Sequence, residues 1–167
     1  MSDKIAFIGV GNMGNPMAEN LLKSGKKIKV FDVSNEMIEQ AKKKGLNTAD
    51  SIESLINNEI STVITMLPEG KHSKEIYLGD SGIINKVSKD CLLIDCSTID
   101  IETSKEIGKA ANNQGIMMID APVSGGVMGA QKATLNIMVG GSKEAFDRAL
   151  PLLKVMGKNI YHAGDIG

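Results

Sequence analysis

The residues best placed for chemistry stand near the start of the chain. Gly9-x-Gly11-x-x-Gly14 follows the apolar run Ile5-Ala6-Phe7-Ile8, and a helical pattern begins at once. In that setting each glycine has a purpose. Gly9 permits a tight turn off a strand, Gly11 lets backbone approach a pyrophosphate, and Gly14 lets a helix pack closely on the strand. Helix amides and dipole then face the phosphates, so Gly9, Val10, Gly11, Asn12, Met13 and Gly14 are the expected contacts of a dinucleotide. Asp32 ends a second run, Lys27 to Asp32, about 20 residues beyond the loop, where a carboxylate can accept both hydroxyls of a ribose. A 2′-phosphate would be repelled there. Val33-Ser34 follows, with no Arg to receive such a phosphate, so NAD is expected in preference to NADP.

The elements that must position these groups are read from apolar periodicity. Met13, Met17, Leu21 and Leu22 give the first helix a buried side, Pro16 suits its first turn, and Ser24-Gly25 ends it. Ser34 or Asn35 opens a helix to Lys44, stopped by Gly45, and Asp50-Ser51-Ile52-Glu53 reads as a capping box. Ile60 to Leu67 is a buried strand cut off by Pro68, and Lys71 to Leu78 a helix. Cys91 to Cys96 is the next strand, followed by a helix from Ile101 to Asn113. Met117 to Asp120, Leu135 to Val139 and Asn159 to His162 are further strands, with a helix capped by Ser142 reaching Met156 across Pro151. Strand and helix alternate throughout. The expected fold is therefore α/β, Rossmann-type and doubly wound, a largely parallel sheet with helices on both faces, forming one dinucleotide-binding domain over residues 1–167.

Composition narrows the function classes. A formal charge of −1 leaves no basic excess to neutralise nucleic-acid phosphates. Met1-Ser2-Asp3-Lys4 has no signal-peptide pattern and no apolar run reaches membrane-spanning length, so the expectation is a soluble, cytoplasmic protein without a membrane partner. Cys91 and Cys96 would point to opposite faces of one strand, which disfavours a disulfide. His72 and His162 stand far apart with no Cys/His cluster, so no metal site is expected. His72 starts an exposed helix near the cofactor's edge, and His162 reads as structural.

Several blocks together resemble one family. Phe7-Ile8-Gly9-Val10-Gly11-Asn12-Met13-Gly14-Asn15-Pro16-Met17-Ala18 is similar to the opening signature of the β-hydroxyacid dehydrogenases, the group of 3-hydroxyisobutyrate dehydrogenase, tartronate semialdehyde reductase and, more distantly, 6-phosphogluconate dehydrogenase. Met66-Leu67-Pro68, Ile94-Asp95-Cys96-Ser97-Thr98-Ile99-Asp100, Asp120-Ala121-Pro122-Val123-Ser124-Gly125-Gly126 and Thr134 to Gly141 follow in that family's order. The resemblance implies that Leu67-Pro68 lies along the adenosine half of the cofactor and that Thr98 bonds the nicotinamide carboxamide. Asp100 competes with Thr98 as a helix cap. Ser124, Gly125 and Gly126 would bind the substrate carboxylate, with two glycines letting amides converge and the serine hydroxyl adding a donor. Asp95 and Asp120 also end apolar strands and are expected to cap helices or bond loops rather than to catalyse.

The implied reaction moves a hydride between a nicotinamide cofactor and a short 3-hydroxy acid or its semialdehyde, in a parent protein expected to be a homo-oligomer. In the family a lysine at the start of an all-helical second domain serves as general acid/base. The sequence reaches Gly167 without that lysine or that domain, so this chain is expected to be a cofactor domain inactive by itself. The alternative class is a non-catalytic dinucleotide-binding sensor or regulatory module.

Overall fold

Alternating apolar runs and amphipathic stretches become nine strands and seven α-helices among residues 3–167, the part of the chain that a computed structural model describes. Met1 and Ser2, used above in reading the N-terminus, lie outside the described residues. In chain order the elements are β1 (Lys4–Ile8), α1 (Gly14–Lys23), β2 (Lys27–Phe31), α2 (Asn35–Lys43), β3 (Asn47–Thr48), α3 (Ile52–Leu55), β4 (Ile60–Thr65) and α4 (Gly70–Leu78). There follow β5 (Leu92–Asp95), α5 (Ile101–Asn113), β6 (Met117–Asp120), β7 (Val123–Ser124), α6 (Gly126–Lys132), β8 (Leu135–Gly140), α7 (Lys143–Met156) and β9 (Gly157–Gly164).

The strands form one sheet in the order β3-β2-β1-β4-β5-β6-β8-β7, with β9 added on β8. From β3 to β6 every pairing is parallel. The chain winds outward from β1 to β3 and then returns to place β4 on the other side of β1. That reversal leaves a crevice at the carboxyl ends of β1 and β4, the switch point where open α/β sheets take ligands. Ile8, Thr65, Asp95 and Asp120 align in register along this edge.

Alternation along the central strands builds two cores. Ile5, Phe7, Ile64, Leu92 and Ile94 bury toward α1, α2 and α7, while Ala6, Ile8, Val63 and Leu93 bury toward α3, α4 and α5. Cys96 belongs to the first core and Cys91 to the second, both unpaired. The expected helices on both faces are in place.

Other expectations need adjustment. β8 runs antiparallel to both β6 and β7, so the parallel sheet gives way at one end. β9 is longer than Asn159 to His162 and is parallel to β8. The short β3 and β7 and the helix α6 are additional to the sequence reading. α6 contains Gly126 and Gly129, poor helix formers that make the segment read as a loop. The capping box of α3 closes between Ser51 and Ser54, so Ser54 takes the place expected of Glu53.

Candidate cofactor-binding site

The turn from β1 into α1 is shaped by contacts that only glycine allows at two positions. Gly9 adopts φ 94°, and a Cβ there would fall 2.2 Å from the Met66 carbonyl oxygen. Its N–H donates to the Phe31 carbonyl at 2.9 Å, tying the turn to β2. A Cβ on Gly14 would fall 1.8 Å from the Gly9 carbonyl oxygen. Gly11 differs, because a Cβ there would meet nothing within 4 Å. Space in front of Gly11 is open to a ligand, whereas Gly9 and Gly14 are fixed by the fold.

Donors remain available at this turn. α1 has Met13 at its cap position, without a side-chain cap or an acidic residue in the first turn. Ser34, Ser51, Asp100 and Ser142 each cap their own helix, on α2, α3, α5 and α7. α4 and α6 likewise lack side-chain caps. The first amides of a helix need an acceptor, and an anion at the N-terminus supplies it while meeting the positive end of the dipole. An open Gly11 beside an uncapped helix end fits a pyrophosphate.

Asp32 follows β2 directly and is held from two sides. The Val10 N–H donates to Oδ2 at 2.9 Å and the Ser34 N–H to Oδ1 at 2.8 Å. Each oxygen keeps a further lone pair for a ribose hydroxyl. Val10 itself is fully buried, and its amide is committed to Asp32. It positions the carboxylate instead of donating to a phosphate. Val33, 88% exposed, stands just past it on the open side.

These groups share a cleft of about 420 Å³. Gly9, Gly11, Asn12, Met13 and Gly14 line it beyond β1, flanked by Asp32 and Val33 beyond β2 and by Met66, Leu67 and Pro68 beyond β4. α4 contributes His72, Glu75 and Ile76, of which the sequence reading had only His72 near the edge. The available signal was the position of α4 immediately after Pro68, at the mouth of the switch-point crevice. Thr98 and Ser124 to Gly126 do not line this cleft. Thr98 is exposed on the loop between β5 and α5, and Asp100 caps that helix by accepting the Thr103 N–H at 2.7 Å. Ser124, Gly125 and Gly126 are exposed where β7 meets α6, with φ of 137° at Gly125 and 64° at Gly126.

The remaining reactive side chains have structural partners. Asp95 Oδ1 accepts the Ser97 N–H at 3.0 Å, and Asp120 Oδ1 accepts the Gly167 N–H at 3.2 Å, both loop bonds as expected. His162 stacks on Phe146 with ring centroids 4.6 Å apart, and its Nε2 lies 2.7 Å from the Gly141 carbonyl oxygen. Burial pushes the Cys91 thiol up to about 12 and raises that of Cys96 as well, which keeps both as inert core thiols. No helix among the described residues is long and apolar enough to cross a membrane.

Known proteins match this chain over nearly its whole length. The family described as the NAD binding domain of 6-phosphogluconate dehydrogenase matches residues 4–164. A 3-hydroxyisobutyrate dehydrogenase of Pseudomonas aeruginosa is 48% identical over 98% of this chain and 54% of its own length. An NAD-dependent L-serine dehydrogenase of the same organism is 43% identical over 98% of this chain and 55% of its own. The chain thus spans about half the length of these curated relatives. The structure of Mycobacterium tuberculosis 3-hydroxyisobutyrate dehydrogenase with L-serine superposes with a TM-score of 0.93 at 37% identity, covering 99% of this chain and 56% of that one. The glycine turn, the switch-point cleft and the match over residues 4–164 agree: the chain belongs to the family of NAD-binding domains of the 6-phosphogluconate dehydrogenase type.

Proposed function

We propose that this chain binds NAD in the switch-point cleft and serves as the cofactor half of an oxidoreductase that interconverts a short 3-hydroxy acid and its semialdehyde. The observation that carries this reading is the uncapped amino end of α1 opening on Gly11, beside a carboxylate already aimed by Val10 and Ser34. Amides from Gly11 to Gly14 would hold the pyrophosphate, and Asp32 the adenosine ribose. Leu67 and Pro68 would lie along the adenosine half. Thr98 would reach the nicotinamide carboxamide, and Ser124, Gly125 and Gly126 would take the substrate carboxylate.

When bound, the nicotinamide supplies a hydride acceptor or donor. The chain's own part is to hold and orient it. NAD is favoured over NADP because a 2′-phosphate would be brought against the Asp32 carboxylate, with the uncharged Val33 next to it. The substrate class draws on two relatives whose names mention 3-hydroxyisobutyrate and L-serine, since both molecules are 3-hydroxy carboxylates. The general acid/base lysine of the reaction is proposed to lie outside this chain.

Calorimetric titration of the chain with NAD and with NADP tests the cofactor assignment. NAD should bind more tightly; tighter NADP binding would overturn the role given to Asp32, and binding of neither would overturn the cleft as a cofactor site. Incubation with NAD and 3-hydroxyisobutyrate or L-serine should give no NADH absorbance. Sustained turnover would show that the acid/base group is within the chain after all.

A further inference from the structure

Beneath the wall of the cleft lies a buried polar cluster that the cofactor contacts leave unused. Asp95 ends β5 at 2% exposed, between Thr65 and Asp120 in sheet register. Its Oδ1 accepts from the Thr65 hydroxyl at 2.9 Å and from the Ser97 N–H at 3.0 Å. Ser97 is buried too, and its Oγ accepts the Leu67 N–H at 2.8 Å. Thr65 Oγ1 also lies 2.8 Å from the Tyr77 hydroxyl. Because Thr65 has one proton and gives it to Asp95, Tyr77 must donate to Thr65. The chain of donation therefore runs from α4 through β4 to Asp95.

Two parts of the cleft wall, the Leu67–Pro68 segment and α4, are tied to this carboxylate. The 95–97 turn presents Ser97 Oγ as acceptor to the Leu67 N–H, and α4 is attached through Tyr77. Ser73, one turn before Tyr77 on α4, is buried as well; its hydroxyl and Asp95 Oδ2 lack a formed hydrogen bond among the described residues. A buried carboxylate is a costly choice for packing alone. A hydrogen-bonded polar cluster does what an apolar side chain cannot, which is to fix the mutual placement of several loops.

We propose that Asp95 is a positioning residue for the cofactor, fastening the Leu67–Pro68 wall and α4 to the sheet so that the cleft has its binding shape before a dinucleotide arrives. This rests on the cofactor reading given above. Preorganisation of this kind strengthens binding by removing the ordering cost from the binding step. Burial raises the Asp95 carboxyl above its ordinary value, against the hydrogen bonds from Ser97 and Thr65. The groups facing it are Tyr77 from α4, Asp120 from β6 and the neighbouring Cys96 thiol. Geometry assigns the essential role to the Oδ1 acceptor, not to the charge.

The test pairs NAD titration with amide hydrogen exchange at Leu67 in Ser97→Ala, Asp95→Ala and Asp95→Asn. Ser97→Ala should weaken NAD binding about tenfold, the size expected for one lost buried hydrogen bond, and Asp95→Ala, which removes two, at least as much. Both should speed exchange at Leu67 while Val63 and Ile64 inside β4 stay protected. Asp95→Asn keeps an oxygen for Thr65 and Ser97 and should restore both readouts to the unmodified level. Should Asp95→Ala fail to fold, Ser97→Ala carries the same test with the carboxylate intact. Unchanged NAD affinity in Ser97→Ala, or a loss of protection spread evenly over the sheet, would overturn the positioning role alone. Failure of the unmodified chain to bind NAD would overturn the cofactor reading and this one with it.

Discussion

The amino ends of α1 and α5 lie at the same carboxyl edge of the sheet, each one loop beyond a parallel strand, yet they are finished in opposite ways. α5 closes on itself. Asp100 accepts the Thr103 N–H, Glu102 stands in the first turn, and the bonds from Thr103 hold the Asp100 carboxyl below the usual carboxylate range. α1 has Met13 at the cap, no acid in the first turn, and open space before Gly11. A Ser, Asp or Asn cap stabilises a helix by about 1 kcal/mol, and α1 forgoes it. The difference teaches where the fold completes its own hydrogen bonding and where it leaves donors for a ligand. An acid at the head of α1 would compete with phosphate for the same amides.

The largest effect expected on this contrast comes from Gly9→Ala. Its φ of 94° and the Met66 carbonyl 2.2 Å from the added methyl should cost at least about 3 kcal/mol in urea denaturation. A tolerated alanine would mean that the turn is not fixed by the fold as described. Gly11→Val should do the reverse. With nothing within 4 Å of a Cβ, folding stability should change little, while NAD affinity should fall by at least about tenfold. Unaltered NAD binding in that variant would remove α1 as the phosphate cradle.

A smaller change is expected at the closed end. Asp100→Ala should lower the thermal midpoint by a few degrees, through the lost Thr103 bond, and leave NAD affinity untouched. A large loss of NAD binding there would blur the distinction between the two helix ends. The smallest effect concerns pH. Burial raises the carboxyl of Asp95 and, more openly placed, that of Asp120. A folded value above the unfolded one means that stability is fully present at low pH and declines as pH rises through the folded value. Asp95→Asn should therefore be more stable than the unmodified chain at pH 7, with the gap closing toward pH about 4. A gap that widened on acidification would reverse the assigned direction.

How much of this was legible in the sequence depends on whether local pattern or distant partners decide each feature. β1, α1 and β2 could be read because apolar alternation, glycine spacing and the strand-end Asp32 are all local. The helix from about Ile101 to Asn113 was legible because apolar positions recur along it, while the choice of Asp100 over Thr98 as its cap was settled only by the fold. The direction of β8 was not, because antiparallel pairing with β6 and β7 is a tertiary choice that leaves no mark on Leu135 to Gly140. α6 was hidden by its glycines, and it ends on Ala133 in the left-handed region at φ 55°, where glycine would be expected. At the site, Gly9 to Gly14 and Asp32 were legible as a fingerprint. The engagement of the Val10 amide by Asp32, and the Asp95–Ser97–Leu67 chain of bonds, depend on side-chain directions that spacing does not reveal.

The central claim, that the open end of α1 and the segments flanking it form the cofactor site, is tested most directly by a backbone-amide NMR titration of this chain with NAD. The account predicts saturable shifts at Gly9 and Gly11 to Gly14, at Asp32 and Val33, at Leu67 and along the first turns of α4, with the first turn of α5 unmoved. Shifts centred on the amino ends of the strands, around Lys26 to Lys29, or none at saturating NAD, would contradict it.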